Sequence, residues 1–286
     1  MNNRIIVSMI LLLPFASEAS VVTFESALQS KQVKYEVHHV PLDGRNMQIT
    51  LANTTTSPIE VQVETGRIFP AASENVQPFV VIRPATIHLE AKESRKVWMH
   101  ARCGNSGAHS PDEKTKFRGT QMGDAEMVVT LEKLNSQRIT DDHLYQTVVW
   151  HYTNGHNVSG IYSSRVAPAI LNNLRASLSN REQMPSDWYV SSYKPDPTGN
   201  DMTFTGQLES IRATLTLKTP EGENVCIVLK DEQGNIAAVL GYYLNVPAGE
   251  NDYTIRIPGD GLAKGRYTVE ALSKSQRRIL ERELVI

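Results

Sequence analysis

A chain of 286 residues with 40% hydrophobic residues, 21% charged residues and a formal net charge of -2 is long enough for two domains of ordinary size. Its near-neutral balance argues against the clustered basic surface on which nucleic-acid binders depend, so neither nucleic acid nor an anionic membrane surface is expected as a partner. The two cysteines, Cys103 and Cys226, could pair in an oxidising compartment, but they lie far apart in sequence, and separate domains would make a bridge the less expected outcome.

In chain order, Met1–Ser20 comes first: a positive charge at Arg4, the apolar run Ile5–Phe15, then small residues ending in Ser17-Glu18-Ala19. This is the layout of a secretory signal peptide with Ala19 as the last residue removed. The apolar run is shorter than the roughly 20 residues a membrane-spanning helix needs, and no later stretch approaches that length. The expectation is an exported protein with no transmembrane segment, placed in the periplasm, on the cell surface or in the medium.

From Val33 to Cys103 the runs "VKYEVHHV", "NMQITLAN", "IEVQVE", "FVVIR", "TIHLE" and "KVWMHARC" alternate apolar and polar residues between turn-forming stretches. Period two means one wet and one buried face, which predicts an antiparallel β-sandwich. The polar loop Gly104–Gly123 breaks the pattern. Asp124 then caps a helix with Ala125, Val128 and Val129 on one side, and Thr140 caps a second with Asp141 and Asp142 in its first turn. On the second helix Leu144, Val148 and Tyr152 form a stripe flanked by Tyr145 and Val149, and Asn154-Gly155 supplies the stop. A third helix begins near Val166, with Pro168 in its first turn and Ile170, Leu171, Leu174 and Leu178 facing inward. The stretch Tyr193–Asp201, "YKPDPTGND", reads as a Pro-rich linker.

After Met202 the pattern returns to period two in "IRATLTLK", "NVCIVLKDE", "AAVLGYYLNV", "DYTIRIP", "RYTVEAL" and "RILERELVI", with Gly-bearing turns between. These runs predict a small immunoglobulin-like sandwich. The predicted fold is therefore mainly β, with two immunoglobulin-like β-sandwich domains and a helical segment between them. Its parts are a signal peptide (1–19), an N-terminal sandwich with covering helices (20–165), a helix and linker (166–200) and a C-terminal sandwich (201–286).

The last third resembles the C-terminal sorting domain of type IX secretion cargo from Bacteroidota. The resemblance rests on Pro195 and Pro197 in the linker, Asp231 and Gly234 in a turn, Gly249 with Asn251 before a strand, the Leu262, Gly265 and Tyr267 hairpin, and the tail Leu284–Ile286. Asp196 stands where that family usually has Asn, and the terminal lysine is absent. The resemblance implies passage through the type IX secretion machinery and removal of this domain during surface anchoring.

The segment "YQTVVW" is similar to the Thr-Gln-x-Ala-Ile-Trp motif of bacterial surface thioester domains, with Gln146 and Trp150 matching and Tyr145 and Val148 differing. That resemblance implies that Gln146 condenses with the upstream thiol of Cys103, with His100 or His143 as the base. The chemistry needs a thiolate poised against an amide in a water-poor cleft, since an exposed thioester hydrolyses. The simpler reading is a packed helix, on which Gln146 and Trp150 are i and i+4 neighbours and the indole covers a sheet.

His143, His151 and His156 do not make a metal motif, because two lie about two helical turns apart and His156 falls beyond the stop. No nucleophile elbow and no phosphate loop is present. No catalytic, cofactor-binding or metal residues are assigned. The expected function is that of an exported, non-enzymatic structural or adhesion protein whose partners are proteins or a surface polymer. The alternatives are a thioester adhesin acting through Cys103 and Gln146, and a secreted enzyme built around the loop Gly104–Gly123.

Overall fold

A computed structural model describes residues 21–42, 45–182, 188–195 and 204–286. The expected signal segment and Pro197 lie outside the described residues. The fold is mainly β, as the alternation predicts. Its first part holds β1 (Val21–Thr23), α1 (Phe24–Gln29), β2 (Val33–Leu42), β3 (Arg45–Asn53), β4 (Ile59–Val63), β5 (Arg67–Phe69), β6 (Phe79–Val81), β7 (Ala85–Leu89), β8 (Ser94–Met99), β9 (Ala101–Cys103) and β10 (Gln121–Met122). They form three sheets ordered β1-β4-β7, β2-β3-β8 and β10-β5-β6-β9.

Alternate residues of these strands meet in one core: Val33 and Val37, Met47, Ile49 and Leu51, Ile59, Val61 and Val63, Ile87 and Leu89. The short helix α1, which the alternation gives no sign of, starts at Thr23, whose side chain accepts a hydrogen bond from the Ser26 N–H. It buries Phe24 and Ala27 in the same core. Beside Phe24 lies Arg67, only 1% exposed, in contact with Glu25 (2.5 Å) and Glu64 (3.2 Å). A buried guanidinium is tolerable only with such partners, because its lone desolvation is costly. The arginine's hydrogen bond is also the main reason the Glu25 carboxyl sits below its ordinary range.

The sequence run "FVVIR" was expected to have one wet face. In the structure Phe79, Val80, Val81 and Ile82 are all buried. Phe79 and Val81 enter the sandwich core, while Val80 and Ile82 enter a second core made with helices. Those helices are α2 (Ala125–Ser136), α3 (Asp142–Asn154) and α4 (Pro168–Glu182), with a 3-10 turn at Val158–Gly160. Asp124 caps α2 as predicted, accepting from the N–H groups of Glu126 and Met127. The inward face differs from expectation, however. It is formed by Met127, Leu131 and Leu134, while Ala125 is exposed and Val129 is 64% exposed. The spacing i, i+4, i+7 gives one straight stripe, and Val129 falls off it.

The cap of α3 is Asp141 rather than Thr140, accepting from the His143 N–H. Its stop is Gly155 in the left-handed region at φ 66°. This helix is buried beyond the expected stripe, with Thr147, Trp150 and His151 also covered. α4 places Leu171, Leu174 and Leu178 in the same helical core, so this helix packs with α2 and α3 rather than standing between units. Polar contacts tie the layer to the sheet: the Asn135 side chain donates to Ile82 O (2.8 Å), and the Tyr145 hydroxyl donates to Asn135 Oδ1 (2.7 Å).

The rest is a second sandwich. The part of the expected linker that is described, Tyr193–Pro195, ends a strand, β11 (Tyr189–Pro195). It is followed by β12 (Phe204–Thr219), β13 (Glu223–Asp231), β14 (Ile236–Val246), β15 (Gly249–Pro258), β16 (Arg266–Ser273) and β17 (Arg278–Val285). The sheets β11-β12-β15 and β14-β13-β16-β17 share a core of Leu215, Leu217, Ile255 and Ile257 from one side and Val225, Ile227, Leu229 and Val269 from the other. Tyr189 closes the end, its hydroxyl donating to Val285 O (2.8 Å) and accepting from Val285 N (3.1 Å). Cys103 and Cys226 sit in different sandwiches and form no disulfide.

Two substitutions test this frame in urea unfolding. Arg67→Ala lowers the unfolding free energy by about 3 kcal/mol, because it leaves a hole where a fully buried side chain stood against Phe24. Gly155→Ala lowers it by about 1 kcal/mol, since an L side chain resists the left-handed region.

Candidate functional site

Strand β9 is an edge of its sheet. It pairs with β6 through Ala101, Arg102 and Cys103, and the next residue donates its N–H to Pro78 O (2.8 Å). Hydrogen-bonding direction alternates along a strand, so the Cys103 N–H and C=O face the open edge. Helix α3 covers that edge, and Gln146 meets both groups. The Cys103 N–H donates to Gln146 Oε1 (3.2 Å), and Gln146 Nε2 donates to Cys103 O (2.7 Å). A primary amide carries donor and acceptor side by side, as a peptide does, so Gln146 takes the place of a missing strand. Arg102 fastens the same junction through Asp142, donating from Nε to its backbone O (3.2 Å) and forming an ion pair with its carboxylate.

The two residues singled out for thioester chemistry, 43 positions apart, are thus brought together. Both are half-buried. The contact also has the right polarity for acyl chemistry. A backbone N–H already points at the amide oxygen, where negative charge develops when a thiolate attacks the carbonyl carbon.

The loop after Cys103 is ordered against the end of α3. The Ser106 N–H donates to Asn154 Oδ1 (3.1 Å), and Asn154 donates to Asn105 Oδ1 (3.1 Å). Ser106 Oγ lies 2.8 Å from His156 Nε2, a pairing of residues 50 positions apart that no sequence motif announces. His151 bonds through Nδ1 to His156 O (2.6 Å). Two of the three histidines of this segment are therefore held by neighbours, while His143 is exposed on α3. Among the described residues no group of three His, Cys, Asp or Glu side chains could hold a metal ion.

Trp150 is buried as the packing reading expected. Its ring stands 5.8 Å from that of His156, which in turn stands 6.0 Å from Tyr193 on β11. These residues line a cavity of about 180 Å3 between α3 and the second sandwich. Burial, and then the neighbouring His151, pushes the His156 imidazole below its ordinary range.

The residues of the sorting resemblance fall in turns and hairpins. Asp231 Oδ1 accepts from the N–H groups of Gln233 and Asn235, building the turn that Gly234 completes. Gly249 opens β15 opposite Thr219. Gly265 pairs with Ile286 in both directions (3.1 and 3.0 Å), and Tyr267 is buried with its hydroxyl donating to Ala263 O (3.0 Å). Pro195 is the last residue of β11, opposite Phe204.

Compared with known proteins, the chain matches no family model, and no curated protein is similar to it.

His156 generates a pH prediction. A histidine whose folded pKa is depressed binds fewer protons than in the unfolded chain, so its contribution to stability is whole above the unfolded value of about 6.5 and is lost as pH falls below it. The thermal midpoint of the wild type should fall as pH drops from about 7 toward 5. His156→Gln should flatten that part of the profile; an unchanged slope would show that other groups carry it.

Proposed function

We propose that this is an exported surface protein that acts by interaction, with Cys103 and Gln146 forming an internal thioester through which it attaches to its partner. The single observation that carries the proposal is the seating of the Gln146 amide on the Cys103 peptide. Attack of the Cys103 thiolate on the Gln146 carbonyl carbon forms a C–S bond, breaks the C–Nε2 bond and releases ammonia, the thiol proton going to the leaving nitrogen. A later amine nucleophile on a partner would take the acyl group, regenerate the thiol and leave an amide bond between the two molecules. The two hydrogen bonds hold the Gln146 amide beside the peptide of the residue that carries the thiol, which favours such a condensation.

The remainder of the molecule is consistent with an interaction role. Edge strand β14 leaves Ile236, Val239, Tyr242 and Tyr243 exposed, and its 11 residues include no charged side chain. Exposed apolar strand edges are uncommon unless they meet other macromolecules. Among the described residues no helix is long and apolar enough to cross a membrane. The resemblance of the last third to sorting domains makes the C-terminal sandwich the part addressed by type IX secretion machinery.

The second reading keeps Gln146 as an edge clamp only, with partners bound non-covalently. It is favoured by the completeness of the clamp, since both hydrogen bonds already satisfy Cys103.

Intact mass and terminal mapping of protein from its native host separate these readings. The covalent reading expects a mass lower by one ammonia than the mapped termini require, and uptake of methylamine with loss of that deficit. Neither effect should occur in Cys103→Ala or Gln146→Ala. A full mass with no uptake leaves the clamp alone. The same mapping shows whether Met1–Ala19 and the C-terminal sandwich are removed.

A further inference from the structure

The cavity between α3 and β11 is not required by the Cys103–Gln146 contact, and its lining has a consistent chemistry. Trp150, His156 and Tyr193 follow one another at 5.8 and 6.0 Å with interplanar angles of 45° and 39°, so they make one curved aromatic wall. Tyr162, 46% exposed, adds a ring at the lining's solvent side. Beside the rings stand the hydroxyls of Thr147, Ser191 and Ser192. Among the described residues that line it there is no Asp, Glu, Lys or Arg.

Each feature narrows the ligand. A phosphate, carboxylate or sulfate would be held best by Lys or Arg, and this lining has neither. An ammonium group would be held by ring faces closing on it from several sides, whereas the three consecutive rings form a single wall. A purely apolar ligand would offer no partner to the exposed hydroxyls of Tyr162 and Ser192 on desolvating them. What remains is an uncharged molecule with flat C–H faces and many hydroxyls. Burial pushes the His156 imidazole below its ordinary range, which disfavours a charge on the wall. The volume, about 180 Å3, suits a single ring rather than a drug-sized compound.

We infer that this cavity is a binding site for a neutral saccharide, seating one sugar ring of a glycan against Trp150, His156 and Tyr193, with Tyr162, Ser192 and His143 reaching its hydroxyls. His143, Tyr162 and Ser192 are exposed and so are positioned to meet a ligand from solvent. The cavity also joins two parts of the chain. Its floor includes Ser191, whose Oγ lies 2.7 Å from Ser159 Oγ in the buried seam between the 3-10 turn and β11. A bound glycan would thus contact both the helical layer and the second sandwich. The inference does not rest on the thioester.

The test uses the labelled full chain on a microarray of neutral and acidic oligosaccharides. Tryptophan-fluorescence titration with the best neutral binder follows, since Trp150 lines the site. The expected result is binding to neutral glycans, weakened at least about tenfold in Tyr162→Ala and in Ser192→Trp, which fills the cavity, with circular dichroism unchanged. Cys103→Ala should bind as the wild type does, which separates this site from the covalent one. Free monosaccharide competing for the site identifies a single ring as the recognised unit. The inference is overturned by absence of binding to any neutral glycan, by binding to acidic glycans alone, or by wild-type affinity in both Tyr162→Ala and Ser192→Trp.

Discussion

The constraint on which this architecture depends is an inner strand, β6, with no wet face. In β10-β5-β6-β9, Phe69, Phe79, Val81 and Ala101 point into the sandwich core, and Ile68, Val80 and Ile82 point at the helices. A strand buried on both sides can be stable only while both covers are present. The helical layer is therefore part of the fold and not an appendage, since removing it would expose Val80 and Ile82 at a cost of roughly 1.5–3 kcal/mol for each side chain. The same enclosure places the sheet's last edge under α3. There an unpaired backbone N–H or C=O would cost about 1–3 kcal/mol. Gln146 answers that need, as an amide presents a donor and an acceptor together.

How much of this was legible depends on the range of the physics involved. Period-two burial is local, and it located β2, β3, β4, β7 and β8 as well as the strands of the second sandwich. It failed at Phe79–Ile82 because a doubly covered strand has no polar phase to read. It also gave no sign of α1, whose six residues are held by Phe24 in the core and by Arg67 beneath rather than by a long helical repeat. The face of α2 was misassigned because valines occupy both sides, and only the sheet decides which are covered. The end of β11, Tyr193–Pro195, was read as linker because Pro195 and Pro197 mark that stretch, while its strand character comes from pairing with β12.

The site divides in the same way. Gln146 and Trp150 lie one helical turn apart, so a short motif could register them, and the upstream cysteine completed the pair. The Ser106–His156 contact and the aromatic wall reaching Tyr193 join residues from a loop, a helix end and another sandwich's edge strand. Nothing at sequence level marks such a convergence.

Under the proposed thioester reading, the clamp is the arrangement that would precede condensation. The Gln146 amide is fixed by the peptide of the residue that carries the thiol, so its carbonyl would be held in place before any attack. Under that proposal condensation would remove Nε2, and the Cys103 C=O would lose its donor. A hydrogen bond worth about 1 kcal/mol net would be exchanged for a covalent tie between β9 and α3.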